Sequence, residues 1–345
     1  MDVVPPFRRN LVVVGASAGG VEALRSVMSA LPADFPATVV VTMHLGPGTH
    51  SALARILDRA GPLPATTARH GGALEPGTVH VAPPDRHLLT DDGVLVLTQG
   101  PTEDGHRPAI NATFRSAALT GGPRVIGVIL SGALDDGAAG LRAIVDRGGL
   151  AVVQDPGDAL YRGMPESALS VVDTEYVARA GEIGAVLDKL VRMPVDPVEA
   201  APPSDTLLLE DRIAREGVRL GALRPAERGM GSGYTCPDCQ GSLTEVDPVG
   251  RYRCRIGHAW SAQALLAAHD GEFQFALMKA LRALDEKAAL ARKLAAQAGG
   301  VRPRGLAGRY AASAREATDA ADTLRRFLLD ASDEADETTG EPAPG

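Results

Sequence analysis

Three runs of β-branched and other apolar residues in this chain stop at residues that carry chemistry. Leu11-Val12-Val13-Val14 leads into Gly15-Ala16-Ser17-Ala18-Gly19-Gly20, and Thr38-Val39-Val40-Val41-Thr42-Met43 stops at His44. Val125-Ile126-Gly127-Val128-Ile129-Leu130 leads into Ser131-Gly132-Ala133-Leu134-Asp135-Asp136-Gly137. In a parallel sheet the residues just past the carboxyl ends of the strands gather along one edge, where ligands bind in open α/β folds. A serine, a histidine and an aspartate far apart in sequence are therefore expected to meet.

The rest of the first 193 residues agrees with such a sheet. Apolar runs at 78–82, 94–98, 150–153 and, more weakly, 175–177 alternate with helical patterns at 21–31, 51–60, 109–119, 138–147, 166–170 and 183–192. That alternation predicts an α/β fold, a doubly wound, mostly parallel sheet. The stretch from Gly71 to Gly100, with turn residues and no helical pattern, reads as an antiparallel excursion.

Beyond Met193 the composition changes. Pro194, Pro197, Pro202, Pro203 and later Gly229, Gly231 and Gly233 mark 194–233 as a linker, with one short helix around Leu207 to Ile213. A small cysteine-bearing module is expected at 234–261 and a helical hairpin at 262–330, with Leu277, Leu281, Leu284, Ala288 and Ala291 on one stripe. Trp260, Phe273 and Phe275 read as packing residues of this C-terminal part. The acidic tail 331–345 is expected to be disordered.

Composition excludes several classes of function. The net charge of −8 owes much to the end of the chain, where six carboxylates and no basic residue follow from Asp330 onward. Neither a basic surface nor aromatics interleaved with basic clusters is present, which argues against nucleic acid as a partner. No apolar run approaches the roughly 18 residues that a membrane span needs, so no membrane insertion is expected. The three cysteines all fall between 236 and 254, a poor disulfide framework that suits a metal site in a reducing, cytoplasmic setting.

Gly15-Ala16-Ser17-Ala18-Gly19 fits the Gly-x-Ser-x-Gly pattern of a nucleophile on a tight turn between strand and helix. Free N–H groups at the start of the following helix, that of Ala18 among them, can hold an oxyanion. The competing reading is a phosphate cradle, but the spacing is not Gly-x-Gly-x-x-Gly, and His44 stands where an acidic residue would hold a ribose. Of the eight histidines only His44 caps a fully apolar strand beside the first; His87 and His106 lie in loops that could border a cleft. Either Asp135 or Asp136 could orient the histidine, the other capping the helix that follows. The order serine, histidine, aspartate disfavours an α/β-hydrolase.

These residues resemble the catalytic domain of the chemotaxis protein-glutamate methylesterases, the CheB family, over 10–193. The carriers are Val14-Gly15-Ala16-Ser17-Ala18-Gly19-Gly20, Met43-His44-Leu45 and Leu130 to Gly140, with Ala82 to His87, His106-Arg107-Pro108 and Gly163-Met164-Pro165 as secondary motifs. The resemblance implies Ser17 as nucleophile, His44 as general base and acid, and Asp136, which immediately precedes the glycine, as orienting carboxylate. It implies demethylation of glutamate methyl esters on a chemoreceptor with release of methanol, and in some members deamidation of glutamine. Departures are Met43 where glutamine is usual, Ala133-Leu134 in place of methionine-glycine, and Asn111 where aspartate is common. The first catalytic strand begins at Leu11, so a stand-alone form without the family's receiver domain is expected.

Cys236-Pro237-Asp238-Cys239 and Cys254-Arg255-Ile256-Gly257-His258 give Cys-x2-Cys-x14-Cys-x3-His, the donor set of a structural Zn2+ in a zinc ribbon. No cofactor is expected for catalysis. The module resembles the C-terminal extension of some stand-alone methylesterase-like proteins, and its helices are expected to mediate protein contacts or dimerisation. A different class of function is a signalling scaffold that keeps the fold with weak or no esterase activity.

Overall fold

In the computed structural model of the chain, residues 8–46, 51–195, 201–216, 230–247, 250–298 and 304–339 are described. They fall into two units, Met1–Leu265 and Leu266–Gly345.

The first unit opens with β1 (Leu11–Ala16), α1 (Gly20–Ser29), β2 (Thr38–Met43), α2 (Leu53–Ala60), β3 (Ala65–Thr67) and β4 (Val79–Val81). A hairpin follows, β5 (His87–Asp91) and β6 (Val94–Thr98), then α3 (Ile110–Gly121), β7 (Val125–Ile129) and α4 (Ala138–Asp146). The α/β portion ends with β8 (Leu150–Gln154), α5 (Gly163–Val171), β9 (Val177–Ala178) and α6 (Ala180–Arg192).

Seven strands form one sheet in the order β3-β4-β2-β1-β7-β8-β9, every neighbouring pair parallel. The expected doubly wound sheet is therefore present. Side chains of a strand alternate between faces, and here both faces are covered. Val12 and Val14 pack with Leu24, Val27, Ile183 and Leu187 of α1 and α6. Leu11 and Val13 pack with Ile110, Phe114, Leu141 and Ile144 of α3 and α4. That is why the strands read as continuous apolar runs. The register sets Ala16 opposite Met43 and Gly15 opposite Ile129, so the three loops carrying Ser17, His44 and Asp136 leave neighbouring strands at one level.

The stretch from 71 to 100 differs from the expected excursion. Its first strand, β4, joins the parallel sheet, and only β5 and β6 pair antiparallel. The strand β3 was not expected, since Ala65-Thr66-Thr67 is too short to show a pattern. Nor was β5, because buried His87 and Thr90 interrupt its apolar run.

The supposed linker contains α7 (Asp205–Glu216), which packs on the α/β portion. Ala214 is buried with Leu89, Ala109 and Ala112, and its carbonyl accepts a 2.6 Å hydrogen bond from Thr98 Oγ1. The close approach needs Gly100, where a Cβ would lie 2.5 Å from the Ala214 oxygen. The small module is a four-stranded antiparallel sheet, β10 (Met230–Thr235), β11 (Ser242–Asp247), β12 (Arg251–Cys254) and β13 (Ala259–Ser261), starting four residues earlier than expected. Its core holds Cys236, Leu243, Cys254, Ala259 and Trp260.

The helix α8 (Ala262–Ala298) begins at the end of the first unit and runs through the second, followed by α9 (Arg304–Thr339). Arg325 pairs with Asp285 at 2.5 Å and Arg292 donates to Thr318 Oγ1 at 3.3 Å, which fixes an antiparallel arrangement. Small residues line the buried side: Ala288, Ala291 and Ala298 on one helix, Ala314, Ala317 and Ala321 on the other. Phe273 and Phe275 are not buried packing residues; they are 53% and 62% exposed, with Phe273 edge-on to Phe327. The acidic stretch expected to be disordered from 331 is helical as far as Thr339, and 340–345 lie outside the described residues.

Candidate active site

Ser17 sits on the turn between β1 and α1, and three small residues shape that turn. Gly19 adopts φ 70°, a left-handed conformation that suits glycine, and a Cβ there would lie 2.7 Å from Ser131 Oγ. At Gly132 a Cβ would lie 2.9 Å from that of Ser17 and 2.0 Å from Met164 Sδ. Ser131 ties the loops together: Ser17 N–H donates to its carbonyl at 2.9 Å, and its hydroxyl donates to the Ala18 carbonyl at 2.8 Å. The Ala18 N–H has no hydrogen-bond partner among the described residues and stands one residue past the Ser17 hydroxyl.

The structure brings Ser17, His44 and Asp136 into one hydrogen-bonded chain. Ser17 Oγ lies 2.9 Å from His44 Nδ1, and His44 Nε2 lies 2.7 Å from Asp136 Oδ2. The carboxylate settles the tautomer. Asp136 already accepts hydrogen bonds from the N–H groups of Ile110 at 2.7 Å and Asn111 at 2.9 Å, so it is charged and accepts a third hydrogen bond, from Nε2–H. His44 Nδ1 is left as the acceptor facing the serine. Burial alone would raise the Asp136 carboxyl, but His44 and the two backbone donors outweigh it and hold the group well below the usual carboxylate range. The ring faces the serine with Nδ1, the reverse of the familiar protease arrangement, with the same acid–base capacity.

Between the two adjacent aspartates the geometry discriminates. Asp136 is buried against His44, whereas Asp135 Oδ1 accepts from Ser261 Oγ at 2.8 Å. Asn111, the departure from the family pattern, uses its Oδ1 to accept the Gly140 N–H at 2.7 Å in the first turn of α4. Leu134 adopts φ 62°. That is a left-handed conformation disfavoured for a side chain of its kind.

The other histidines separate by surroundings. His106 stacks on His44, ring centroids 3.7 Å apart. Burial, reinforced by the neighbouring His44, pushes it down to about 4. His87 is buried: its Nε2–H donates to the Pro101 carbonyl at 2.8 Å and its Nδ1 accepts the Ala109 N–H at 3.2 Å, so it braces the loop. His70 accepts the Leu97 N–H, His80 meets Thr78, and His50 lies outside the described residues. A cleft of about 550 Å³ opens beside His44 and His106, lined also by Leu45, Asp85, Thr102 and Arg107. Arg107 is held to Asp85 Oδ1 at 2.5 Å and to the Gly100 carbonyl at 2.9 Å.

Sequence reasoning missed Glu103 and Asp104, next to His106. Glu103 is buried between Arg115, Arg251 and Arg253. Asp104 is buried with its Oδ2 unpartnered among the described residues; burial first, then the charges of Asp136 and Asp135, push its carboxyl up to about 8 against the pull of Arg251. A lone Glu-Asp pair in a loop carries no sequence signal for burial.

Cys236, Cys239, Cys254 and His258 converge, their ligand atoms all within 4.8 Å of one another. Cys239 and Cys254 sulfurs are 3.6 Å apart, and His258 Nδ1 lies 3.5 Å from Cys254 Sγ and 3.7 Å from Cys236 Sγ. A tetrahedral ion with Zn–S of about 2.3 Å and Zn–N of about 2.0 Å spaces its ligand atoms by roughly 3.5–3.8 Å. The donor set and its spacing fit such an ion.

Known proteins share the α/β portion. The CheB methylesterase family model matches residues 12–187. Protein-glutamate methylesterase/protein-glutamine glutaminase 2 of Anaeromyxobacter dehalogenans is 40% identical over 185 residues, covering 54% of this chain and 54% of that protein. Protein-glutamate methylesterase FrzG of Myxococcus xanthus is 38% identical over 187 residues, covering 54% of this chain and 56% of that one. The chain thus spans about half the length of these curated relatives. The crystal structure of the Thermotoga maritima CheB methylesterase catalytic domain superposes with a TM-score of 0.51 at 33% identity, covering 53% of this chain and 98% of that domain. With half of its length inside the family match, the chain belongs to the CheB methylesterase family.

Proposed function

We propose that the protein is a serine esterase that hydrolyses methyl esters of glutamate side chains on a partner protein of the chemoreceptor kind. The observation that carries this reading is the hydrogen-bonded chain Ser17–His44–Asp136 at the edge of the sheet. The names of the relatives support the substrate and, for several, a second activity on glutamine.

Ser17 Oγ attacks the ester carbonyl as His44 Nδ1 takes its proton. Asp136 stabilises the imidazolium through Nε2, and the Ala18 N–H donates to the developing oxyanion. His44 returns the proton to the leaving methanol, then activates the water that releases the glutamate carboxylate and frees Ser17. With a glutamine substrate the same steps expel ammonia.

Zn2+ is the ion proposed for Cys236, Cys239, Cys254 and His258, in a structural role: four protein ligands leave no open position. No described helix is long and apolar enough to cross a membrane. A cytoplasmic location is proposed on the three reduced, metal-type cysteines. For α8 and α9 a role in protein contacts is proposed.

The test is methanol release from a methylated chemoreceptor cytoplasmic fragment, wild type against Ser17→Ala. Release that vanishes in the variant supports the esterase. No release from wild type, with the fragment still bound, moves the reading to the scaffold.

A further inference from the structure

The cysteine-bearing sheet lies in the same unit as the esterase, against the loop that carries His106. Its last strand adds a short ladder to that loop. Asp104 N–H donates to the Ala259 carbonyl at 2.8 Å, and Ala259 N–H donates to the Thr102 carbonyl at 3.1 Å. Between them the loop closes on itself, Glu103 and His106 exchanging backbone hydrogen bonds at 3.1 and 2.8 Å. That turn holds His106 against His44.

Ser261 completes the contact on two sides. Its N–H donates to Asp104 Oδ1 at 2.6 Å, and its hydroxyl donates to Asp135 Oδ1 at 2.8 Å, one residue from the triad carboxylate. A single residue thus bridges the loop bearing His106 and the loop bearing Asp136. The candidate ligand His258 is three residues away, immediately before that strand, and Cys254 N–H donates to its carbonyl at 3.1 Å.

Charge locks the arrangement. Arg251 and Arg253, on the strand that ends in the ligand Cys254, reach Glu103 and Glu210, with Arg115 completing a buried group of three cations and two anions. Buried pairs of this kind are costly to separate, because each partner is left charged and dry. Asp238, between the ligands Cys236 and Cys239, accepts from Thr102 Oγ1 at 2.6 Å.

We propose that the metal-binding sheet is a positioning element of the esterase site, and that Ser261 is the residue through which it fixes both catalytic loops. Small cysteine–histidine modules fold with their metal, so filling the four ligands sets the order of residues 102–107 and 133–137 and hence the rate at Ser17. This rests on the esterase reading for its consequence in rate, but not for the coupling of the loops.

The experiment uses the full chain, loaded with Zn2+ or stripped by chelator, and the variants Ser261→Ala and Ser261→Thr. Amide hydrogen exchange is read by segment, Ser17 reactivity with a fluorophosphonate, and kcat and KM with p-nitrophenyl acetate. The expected result is faster exchange at 102–107 and 133–137 on stripping, with Leu11–Ala16 and Val125–Ile129 unchanged. Ser261→Ala reproduces it with one Zn2+ still bound, lowers labelling and kcat at least threefold with KM little changed, and Ser261→Thr restores them. Unchanged exchange in those loops in Ser261→Ala overturns the proposal, even if stripping unfolds the whole chain. A zinc-loaded wild type that never labels at Ser17 sinks the esterase reading instead, and the exchange data still decide the coupling.

Discussion

The imidazole rings of His44 and His106 lie face to face, 3.7 Å between centroids and 14° from parallel. Two cations could not share that spacing. Burial and the neighbouring His44 hold His106 down to about 4, so it is neutral near pH 7 and sets no positive charge against the His44 ring. His106 thus gives His44 an uncharged aromatic wall.

Replacing the wall separates its shape from its nitrogen atoms. His106→Phe keeps a ring over His44 and is expected to retain kcat within a few-fold. His106→Ala removes the stack, worth about 0.5–1.5 kcal/mol for an aromatic pair, and is expected to lower kcat by up to about tenfold. Steady-state kinetics on one ester decide; a Phe variant as slow as the Ala variant would show that an imidazole nitrogen acts directly.

The triad carboxylate is tested by Asp136→Asn. Asparagine offers the His44 ring no charge and favours the wrong tautomer, which in a serine triad costs roughly 10⁴ in kcat. Methanol release and Ser17 labelling are both expected to fall by about that factor. A loss under tenfold removes Asp136 from the mechanism.

Asp104 makes stability depend on pH in a defined direction. Its folded pKa of about 8 is raised above the ordinary value of about 3.9. The stabilisation it contributes is therefore complete below about pH 4 and is lost as pH rises through about 8. Asp104→Asn keeps an acceptor for the Ser261 N–H and suits the left-handed φ of 51°. Urea midpoints of the variant are expected to fall less between pH 5 and 8.5 than those of wild type; parallel curves would refute the assignment. The charged groups around it are Arg251, Asp135 and Asp136.

Gly132 is expected to tolerate no side chain. A methyl group there meets Met164 Sδ at 2.0 Å and the Ser17 Cβ at 2.9 Å. Overpacking of this kind costs about 1–3 kcal/mol. Gly132→Ala should lower the melting temperature and depress Ser17 labelling together, whereas a stable and fully reactive variant would mean that the loop relaxes freely.

The meeting of Ser17, His44 and Asp136 at one sheet edge was legible because the three strands before them are covered on both faces, which leaves long apolar runs ending abruptly there. The cysteine spacing was equally open, since ligand geometry is local to two turns. What stayed hidden depends on partners far away in sequence. Glu103 and Arg251 are 148 positions apart and look like two surface charges until the fold buries both. The segment Asp205–Glu216 was legible as a short helix within a linker, but its docking was not, because the buried Leu207, Ile213 and Ala214 alternate with exposed residues such as Thr206 and Leu208. Phe273 and Phe275 misled in the opposite sense: aromatic residues near a small core were expected inside it, yet α8 carries them to its exposed side.

The sheet order puts β1 between β2 and β7, so the loops carrying Ser17, His44 and Asp136 spring from adjacent strands although 80 residues, Leu45 to Arg124, lie between His44 and the start of β7. That interval contributes no member of the triad, yet it holds Thr102, Glu103, Asp104 and His106, most of the surface that the metal-binding sheet grips. The same interval also supplies the Ile110 and Asn111 N–H groups that hold Asp136 and the ring stacked on His44, so one stretch of chain faces the metal-binding sheet on one side and the three strand-end loops on the other.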